Sequence, residues 1–424
     1  MSMHIKESNS EGSGDNKSKE YRNLAFILLV SLGVRLLALW LVPEPHLATN
    51  ATIAYLGGAH RLVEANGFSD PTYPLFTPPL YAVVIAGLLS IFGSDQLPIK
   101  IVQIFVDCST IGIIYMMAQH IFSSRVAILA AAMWGVYPFA IYATLYVGTE
   151  TLFTFFLMLF VLLFLYGIMH QRWYYFCVAG IVLGLATLTR GTTQFLPFIL
   201  PLLWLFWQGP IGRWVANCAI CLFAFGLVLL PWGVRNYLVV QDVIPVAAAG
   251  AVSLWGASEE LLTISERNKK LPGFLKHIEE ARGLEYPRHN GKPTEKERYM
   301  VRVALEHYKE QLTDDPVGLM RFFIKKFFRL WYATESGQNH GLVMGLNAPI
   351  YLLGLLGIIL GWSRRSSRTL FPLCIMGYFI ALHWVTFPLF RYMLPVIPLV
   401  MCFAAYAVSD FLDRAGVLQK IKRT

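Results

Sequence analysis

The sequence PPLYAVVIAGLLSIFG, at positions 78–93, decides the topology of this chain. Its apolar run, 79–92, is about 14 residues long, begins at the Pro78-Pro79 pair and ends before Gly93. A helix needs about 20 mostly apolar residues to cross a bilayer, so this run is short for a span. Whether it crosses determines the side of the membrane on which every later segment lies.

The composition indicates that lipid is the main solvent of the chain. Of the 424 residues, 56% are hydrophobic and 14% are charged, and the mean hydropathy is +0.53. Soluble domains carry about 25% charged residues. This deficit excludes an ordinary cytosolic enzyme, a disordered scaffold and a nucleic-acid-binding protein. The net charge of +9 does not indicate a nucleic-acid partner, because excess Lys and Arg in a multi-pass protein normally lie in cytoplasmic loops.

Beyond the run at 79–92, other segments are long and apolar enough to cross a membrane. The candidates are 24–43, 99–119, 125–145, 150–169, 174–190, 192–208, 214–232, 343–361, 369–387 and 392–411. Because a lipid-spanning backbone must satisfy its hydrogen bonds internally, we expect each to be helical. The sequence therefore predicts an all-α polytopic membrane protein with about ten spans.

The distribution of basic residues indicates that 79–92 does not cross. If it does not, and the N-terminus is cytoplasmic, the basic residues of the short loops and of the tail all fall on the cytoplasmic side, namely Arg125, Arg172, Arg213, Arg364, Arg365, Arg368, Arg414, Lys420, Lys422 and Arg423. If it crossed, they would all face outward, against the positive-inside rule. We therefore expect 79–92 to lie in or re-enter the outer interface of a cell inner (plasma) membrane, with both termini cytoplasmic.

These assignments divide the chain into consecutive parts. We expect a cytoplasmic polar tail at 1–23, a membrane domain at 24–232 with a large outer loop at 44–98, an extracytoplasmic insert at 233–342, further spans at 343–411 and a cytoplasmic basic tail at 412–424. The insert ends in an amphipathic run, 317–332, that suits a helix lying in the membrane interface.

Six phrases carry a resemblance to a known superfamily. In chain order they are GVRLLALW (33–40), the stretch from YLGGAHRLVEANGFSD to LLSIFG (55–93), YPFAIYATLYVGTETLF (137–153), GLATLTRGTTQFLP (184–197), PWGVRNYLVVQDVIPVAAAGAVSLWG (231–256) and FRYMLPVIPLV (390–400). The chain resembles the GT-C superfamily of integral-membrane glycosyltransferases. Within it, the chain is most similar to the bacterial dolichyl-phosphate-mannose protein mannosyltransferase-like and aminoarabinose-transferase-like branch.

The resemblance implies a GT-C-type helical bundle that transfers a sugar from a polyprenyl-phosphate donor at the extracytoplasmic face, in cell-envelope glycan biosynthesis. The acceptor would be a glycan, a lipid or a protein, and the other partner would be membrane lipid. It also implies a carboxylate base in the first outer loop, about four residues before the position of Tyr55. That position is Ala51, flanked by Asn50 and Thr52, so the expected carboxylate is missing.

Three explanations of the missing acid remain open. Another acid of the same loop could act, namely Glu44, Glu64 or Asp70. Asn50 could stand for an aspartate in an inactivated variant, since an amide is no base at neutral pH. Alternatively, the chain could be a non-catalytic lipid-binding protein of this fold. A transporter of a lipid-linked substrate is the rival from another functional class.

Glu150 is the second acidic position that the resemblance implies. In some members this position orients the acceptor or binds a metal, so Mg²⁺ or Mn²⁺ at Glu150 is an expectation, although no cofactor is certain. The alternative interpretation of Glu150 is an acid at a helix N-terminus, where it complements the helix dipole.

Cations on the outer side are the candidates for binding the donor phosphate. Arg235, Arg391 and Arg190 come first, and His60, Arg61, Lys325 and Lys326 follow. Basic side chains that extend from a span end to the interface are the alternative. Two charges lie within predicted spans, and for Arg35 and Asp107 we expect a structural ion pair.

Overall fold

The computed structural model describes residues 8–42, 50–64, 67–68, 77–206, 210–248, 250–265, 292–335, 337–362 and 367–415. Every regular element in these ranges is helical. Helices satisfy their own backbone hydrogen bonds, which a chain in lipid requires. The predicted all-α class is confirmed.

In the first half of the described chain, the helices run from the N-terminal side to the last long helix before the insert. They are α1 (Ser8–Leu41), α2 (Asn50–Val63), α3 (Leu80–Phe92), α4 (Leu97–Ile121), α5 (Ser124–Gly135), α6 (Pro138–Ala143), α7 (Glu150–His170), α8 (Trp173–Thr189), α9 (Leu196–Ile199) and α10 (Ile211–Val240). Short 3-10 helices, Gly191–Thr193 and Leu200–Phe206, flank α9.

The second half begins with the helices of the insert and ends with the last spans. Its helices are α11 (Gly250–Ser265), α12 (Pro293–Asp314), α13 (Pro316–Arg329), α14 (His340–Gly361), α15 (Ser367–Val385), α16 (Phe390–Met393) and α17 (Ile397–Arg414). A 3-10 turn, Leu394–Val396, joins α16 to α17, so that the two continue as one segment.

Seven segments in the described part are long and apolar enough to cross a membrane. They are Ser18–Leu41, Leu97–Ile121, Glu150–His170, Ile211–Val240, His340–Gly361, Arg368–Val385 and Phe390–Arg414. The other three predicted spans coincide with shorter elements: the α5–α6 pair, α8, and the broken segment around α9. Pro138 interrupts the first of these, since proline cannot donate the backbone hydrogen bond that would continue α5. The count of ten spans stays a prediction.

The first helix extends beyond the predicted span 24–43 on its N-terminal side. It starts at Ser8, inside the polar stretch 1–23, and continues without interruption into the first span. No proline lies between Ser8 and Leu41, so nothing in the backbone forces the helix to stop at the polar boundary.

One hydrogen bond shows how α3 lies relative to the spans. Thr52 Oγ1, on α2, donates to the carbonyl of Val147, in the loop between α6 and α7, at 2.8 Å. Two crossings between them, by α4 and by the α5–α6 pair, return the chain to the side on which α2 lies, whereas three would not. With 13 residues, α3 is also short for a span. The contact supports the prediction that 79–92 does not cross.

A second set of contacts fixes the loop at 144–149 against α3 and α4. Tyr81 Oη donates to Gln103 Oε1 at 2.6 Å, and Gln103 Nε2 donates to the carbonyls of Thr144 (3.2 Å) and Tyr146 (2.9 Å). The Gln103 amide thus gives hydrogen-bond partners to two backbone carbonyls of a buried loop, and Tyr81 in turn holds Gln103. Gln103 of α4 therefore holds in place the loop that precedes α7.

The predicted pair of Arg35 and Asp107 is confirmed. Arg35 Nε donates to Asp107 Oδ2 at 2.8 Å, and its Nη1 donates to the carbonyls of Ser31 (3.1 Å) and Gly135 (2.8 Å). Trp134 Nε1 donates to the other carboxylate oxygen at 3.1 Å. Both charged side chains are buried. The pair joins α1, α4 and α5 at a depth where an unpaired charge would be costly.

Candidate active site

Glu150 is the first residue of α7, and its side chain is 0% exposed. It follows the loop that Thr52 and Gln103 hold in place. Gly148 lets this loop turn tightly, because a Cβ there would lie 2.6 Å from Glu150 Oε2 and would collide with the ring of Tyr146. The sequence thus delivers one buried carboxylate to the α2 side of the membrane domain.

The partner of Glu150 is Arg391, on α16. Arg391 Nε and Nη2 donate to Glu150 Oε1 at 3.0 and 2.6 Å, and Arg391 Nη1 donates to Glu335 Oε1 at 2.6 Å. All three nitrogen atoms of this guanidinium therefore donate to carboxylates. Charge-assisted bonds of this kind are strong and directional, so Arg391 is fixed between α7 and the segment that follows α13.

Arg190, the residue directly after α8, is the second cation beside Glu150. Its Nη1 lies 3.7 Å from Glu150 Oε1 and has no hydrogen-bond partner among the described residues. Its guanidinium lies over the ring of Tyr392, 4.6 Å from the centroid, and 5.9 Å from that of Phe153. Arg190 is thus held by a charge and by aromatic faces, while this donor stays available to a ligand.

His383 reaches the same place from α15. Its ring stacks on Tyr392, with 5.0 Å between centroids, and its side chain is buried. His383 Nε2 and Glu150 Oε2 are buried and lack a hydrogen-bond partner among the described residues. Buried polar atoms are normally satisfied, so these two atoms are candidates for contact with a polar ligand.

Tyr55 brings α2 to this group. Its side chain is buried against the ring of Tyr81, with 5.3 Å between centroids. Burial raises the pKa of the Tyr55 hydroxyl above its ordinary value, and the opposing charges of Arg190 and Glu150 act on it with smaller effect. The hydroxyl therefore stays protonated at neutral pH and can donate a hydrogen bond to a ligand.

Of the residues expected from the sequence, the structure brings together Glu150, Arg190 and Arg391. Other candidates lie elsewhere or are engaged. The guanidinium of Arg235 lies over the ring of Trp232, with 4.7 Å to the centroid, and Lys326 is buried and donates to the Val385 carbonyl at 2.8 Å. Their expected roles in phosphate binding stay predictions.

Some of the remaining candidate residues have described side chains, and others lie outside the described part of the structure. His60, Glu64 and Lys325 are exposed, and Arg61 is half-buried. Asn50 begins α2, but its side chain lies outside the described part of the structure, and so do Glu44 and Asp70 entirely.

The charge around Glu150 does not suit a divalent metal ion. Its Oε1 already accepts two hydrogen bonds from Arg391, and Arg190 is a second cation within 3.7 Å. Across the described residues, no three His, Cys, Asp or Glu side chains converge as a metal site would require. The two carboxylates, Glu150 and Glu335, are balanced by Arg391 and Arg190, which leaves too little negative charge for Mg²⁺ or Mn²⁺.

Sequence reasoning missed Glu335, His383 and Tyr392. Glu335 stands in the insert, 56 positions before Arg391, and no local pattern distinguishes it from the other acids there. His383 did carry a signal, because an ionisable residue near the end of an apolar span is often functional.

Comparison with known proteins identifies relatives of this chain. Residues 77–233 match the family described as dolichyl-phosphate-mannose-protein mannosyltransferase. No curated protein matches the chain in sequence. The matched segment contains Glu150 and Arg190, and over this segment the resemblance inferred from the motifs is confirmed.

Solved structures with the same architecture include the archaeal oligosaccharyltransferase AglB from Archaeoglobus fulgidus in complex with an inhibitory peptide and a dolichol-phosphate. Its sequence is 15% identical to that of this chain, and the TM-score is 0.61. The match covers 96% of this chain and 52% of the archaeal chain. The same enzyme tethered to an acceptor peptide containing the NVT sequon is 15% identical, with a TM-score of 0.60 and coverages of 96% and 51%. ArnT from Cupriavidus metallidurans bound to undecaprenyl phosphate is 15% identical, with a TM-score of 0.45 and coverages of 91% and 59%.

These likenesses concern the fold. The chain spans about half the length of the archaeal structures that it matches. At this identity the similarity to them shows a shared architecture, and the predicted GT-C-type helical bundle is confirmed.

Proposed function

We propose that this protein is a glycosyltransferase that moves a sugar from a polyprenyl-phosphate donor to an acceptor glycan, lipid or protein at the extracytoplasmic face of the membrane. The observation that carries the proposal is the buried group of Glu150, Arg391 and Arg190, with an unpartnered donor at Arg190. The family match over 77–233 and the dolichol-phosphate named with the archaeal relative support the choice of donor.

The arrangement assigns different tasks to the two arginines. Glycosyl transfer develops positive charge at the anomeric carbon and negative charge on the leaving phosphate, which preorganised donors stabilise. Arg391 is fully engaged by Glu150 and Glu335, so it positions the group. Arg190 has a donor to offer, and it is the residue that binds the phosphate oxygen.

The assay of this function uses the full chain in nanodiscs with a panel of labelled polyprenyl-phosphate sugars and extracted envelope acceptors. Transfer of label from one donor supports the proposal. If no member of the panel gives a product while polyprenyl phosphate still binds, the protein is the non-catalytic lipid-binding alternative. That alternative has one specific observation in its favour, the alanine at position 51.

Replacement of Arg190 by alanine tests the phosphate assignment. We expect the affinity for polyprenyl phosphate to fall by about tenfold or more, since a hydrogen bond to a charged group contributes about 1.5–3 kcal/mol. Lipid titration followed by the protein's tryptophan fluorescence measures it. Arg125→Ala, whose parent side chain is exposed and pairs with Asp413, is the matched control. Unchanged lipid affinity in Arg190→Ala would reject the assignment.

The proposed sidedness can be measured with single cysteines and a membrane-impermeant maleimide in intact cells. We expect labelling at Glu310→Cys, an exposed position of α12, and none at Arg172→Cys, in the turn between α7 and α8, until the cells are permeabilised. The wild-type chain, with its six native cysteines, gives the background. The opposite pattern would place Glu150 and both termini on the wrong sides of the membrane for this function.

A further inference from the structure

We propose that Glu335 is the general base that removes the proton from the acceptor hydroxyl. This inference rests on the proposed function, and it answers the question that Ala51 raises. Proton transfer by a positioned carboxylate is part of such a reaction, and a base must lie within hydrogen-bond reach of the acceptor. The position at which the resemblance expects that carboxylate holds a methyl group.

The two carboxylates bound to Arg391 differ in how a substrate can reach them. The side chain of Glu150 is 0% exposed, and its Oε1 accepts two hydrogen bonds from Arg391. The side chain of Glu335 is 25% exposed, and Arg391 binds its Oε1 through one hydrogen bond. An acceptor that arrives from water therefore meets Glu335 first, while Glu150 stays behind the arginines.

The backbone holds Glu335 at this place. Two residues earlier, the carbonyl of Ala333 accepts a hydrogen bond from the N–H of Phe390 at 2.9 Å. Thr334, the residue before Glu335, donates through its Oγ1 to the carbonyl of Gln338 at 2.6 Å. The insert is thus fastened to the residue next to Arg391, and the carboxylate is preorganised.

In the proposed step, the acceptor oxygen bonds to the anomeric carbon of the donor as its proton moves to Glu335. The bond between that carbon and the phosphate oxygen breaks, and its electron pair stays on the phosphate. Protonation removes the negative charge of Glu335 while the phosphate gains one. Arg391 contacts Glu335, and Arg190 lies beside Glu150. The net charge of these four side chains therefore becomes more positive as the leaving phosphate becomes more negative.

The test compares Glu335→Gln and Glu335→Ala in the full chain in nanodiscs, with the donor and acceptor that the wild-type protein uses. We expect kcat to fall by about 100-fold or more in both, the range that general-base catalysis contributes. Because the phosphate site is intact, we expect the Kd for polyprenyl phosphate to change by less than about threefold, well under 1 kcal/mol. Added sodium formate should restore transfer to Glu335→Ala, where it can fill the space of the missing carboxylate, and not to Glu335→Gln. Glu310→Gln, at an exposed acid of α12, is the matched control.

Three results would overturn the inference. Transfer at the wild-type rate by Glu335→Gln would show that another group takes the proton. Joint loss of transfer and lipid binding, without rescue by formate, would show that Glu335 only holds Arg391. Absence of transfer by the wild-type protein itself would reject the proposed function, and with it any role for a base.

Discussion

Replacement of Glu150 by alanine is expected to slow sugar transfer severely and to destabilise the protein. The substitution leaves Arg391 with one carboxylate partner and removes the charge nearest to Arg190. Loss of one preorganised electrostatic contact typically costs 100-fold or more in rate, so we expect a fall of about 100–1,000-fold in kcat. Removal of one partner from a buried ion pair costs about 3–5 kcal/mol of stability.

Separate measurements distinguish the two effects. Transfer is measured per folded molecule, after size-exclusion chromatography, and stability by thermal unfolding in detergent. Glu150→Gln keeps the shape of the side chain and removes its charge, so it should fold better than the alanine variant and still lose transfer. A Glu150→Gln protein that transfers sugar at the wild-type rate would show that the carboxylate is only a structural partner of the arginines.

Replacement of Arg35 by methionine is expected to cause the largest loss of stability without touching the site. It leaves Asp107 buried without its counter-ion, and among the described residues Trp134 is the remaining side chain that donates to it. The expected loss is about 3–5 kcal/mol, because the remaining charge has no counter-ion at that depth.

The double variant, Arg35→Met with Asp107→Leu, provides the control. Apolar residues of similar volume often replace a buried pair without loss, so most of the stability should return. Thermal unfolding of the purified proteins, together with yield from membranes, measures both. Equal stability of the single variant and the wild-type protein would mean that lipid headgroups or water reach Asp107 and that the pair is dispensable.

The sequence allowed much of the architecture to be predicted because lipid imposes simple rules. Long apolar runs, basic loops and the short run at 79–92 required no tertiary information, and the contact of Thr52 with Val147 agrees with the topology they predict. Breaks within apolar segments were harder to foresee. The segment 192–208 has the composition of a span, yet its described part, which ends at residue 206, folds as α9 with 3-10 helices on both sides.

The candidate site could be predicted only for residues in recognisable phrases. Glu150, Arg190 and Arg391 stood in three of the six phrases, and an outer-side cation was unexpected on topological grounds, which drew attention to the arginines. Glu335 could not be found in this way, because its role depends on where the insert folds back against Phe390. Tyr392 was hidden for another reason, since an aromatic residue at a span end is ordinary in any membrane protein.

The three bonds of Arg391 also constrain biosynthesis. Its guanidinium joins Glu150 to Glu335. Glu150 therefore enters the membrane long before Arg391 has been synthesised. Until the final hairpin of spans inserts, the nascent protein carries Glu150 at the start of α7 without Arg391, the partner that donates two hydrogen bonds to it, and Arg190 is the cation already present. Placement of Glu335 and entry of the last span therefore must both precede maturation, and a ribosome-stalled intermediate that stops short of residue 391 lacks the assembled group of Glu150, Glu335 and Arg391.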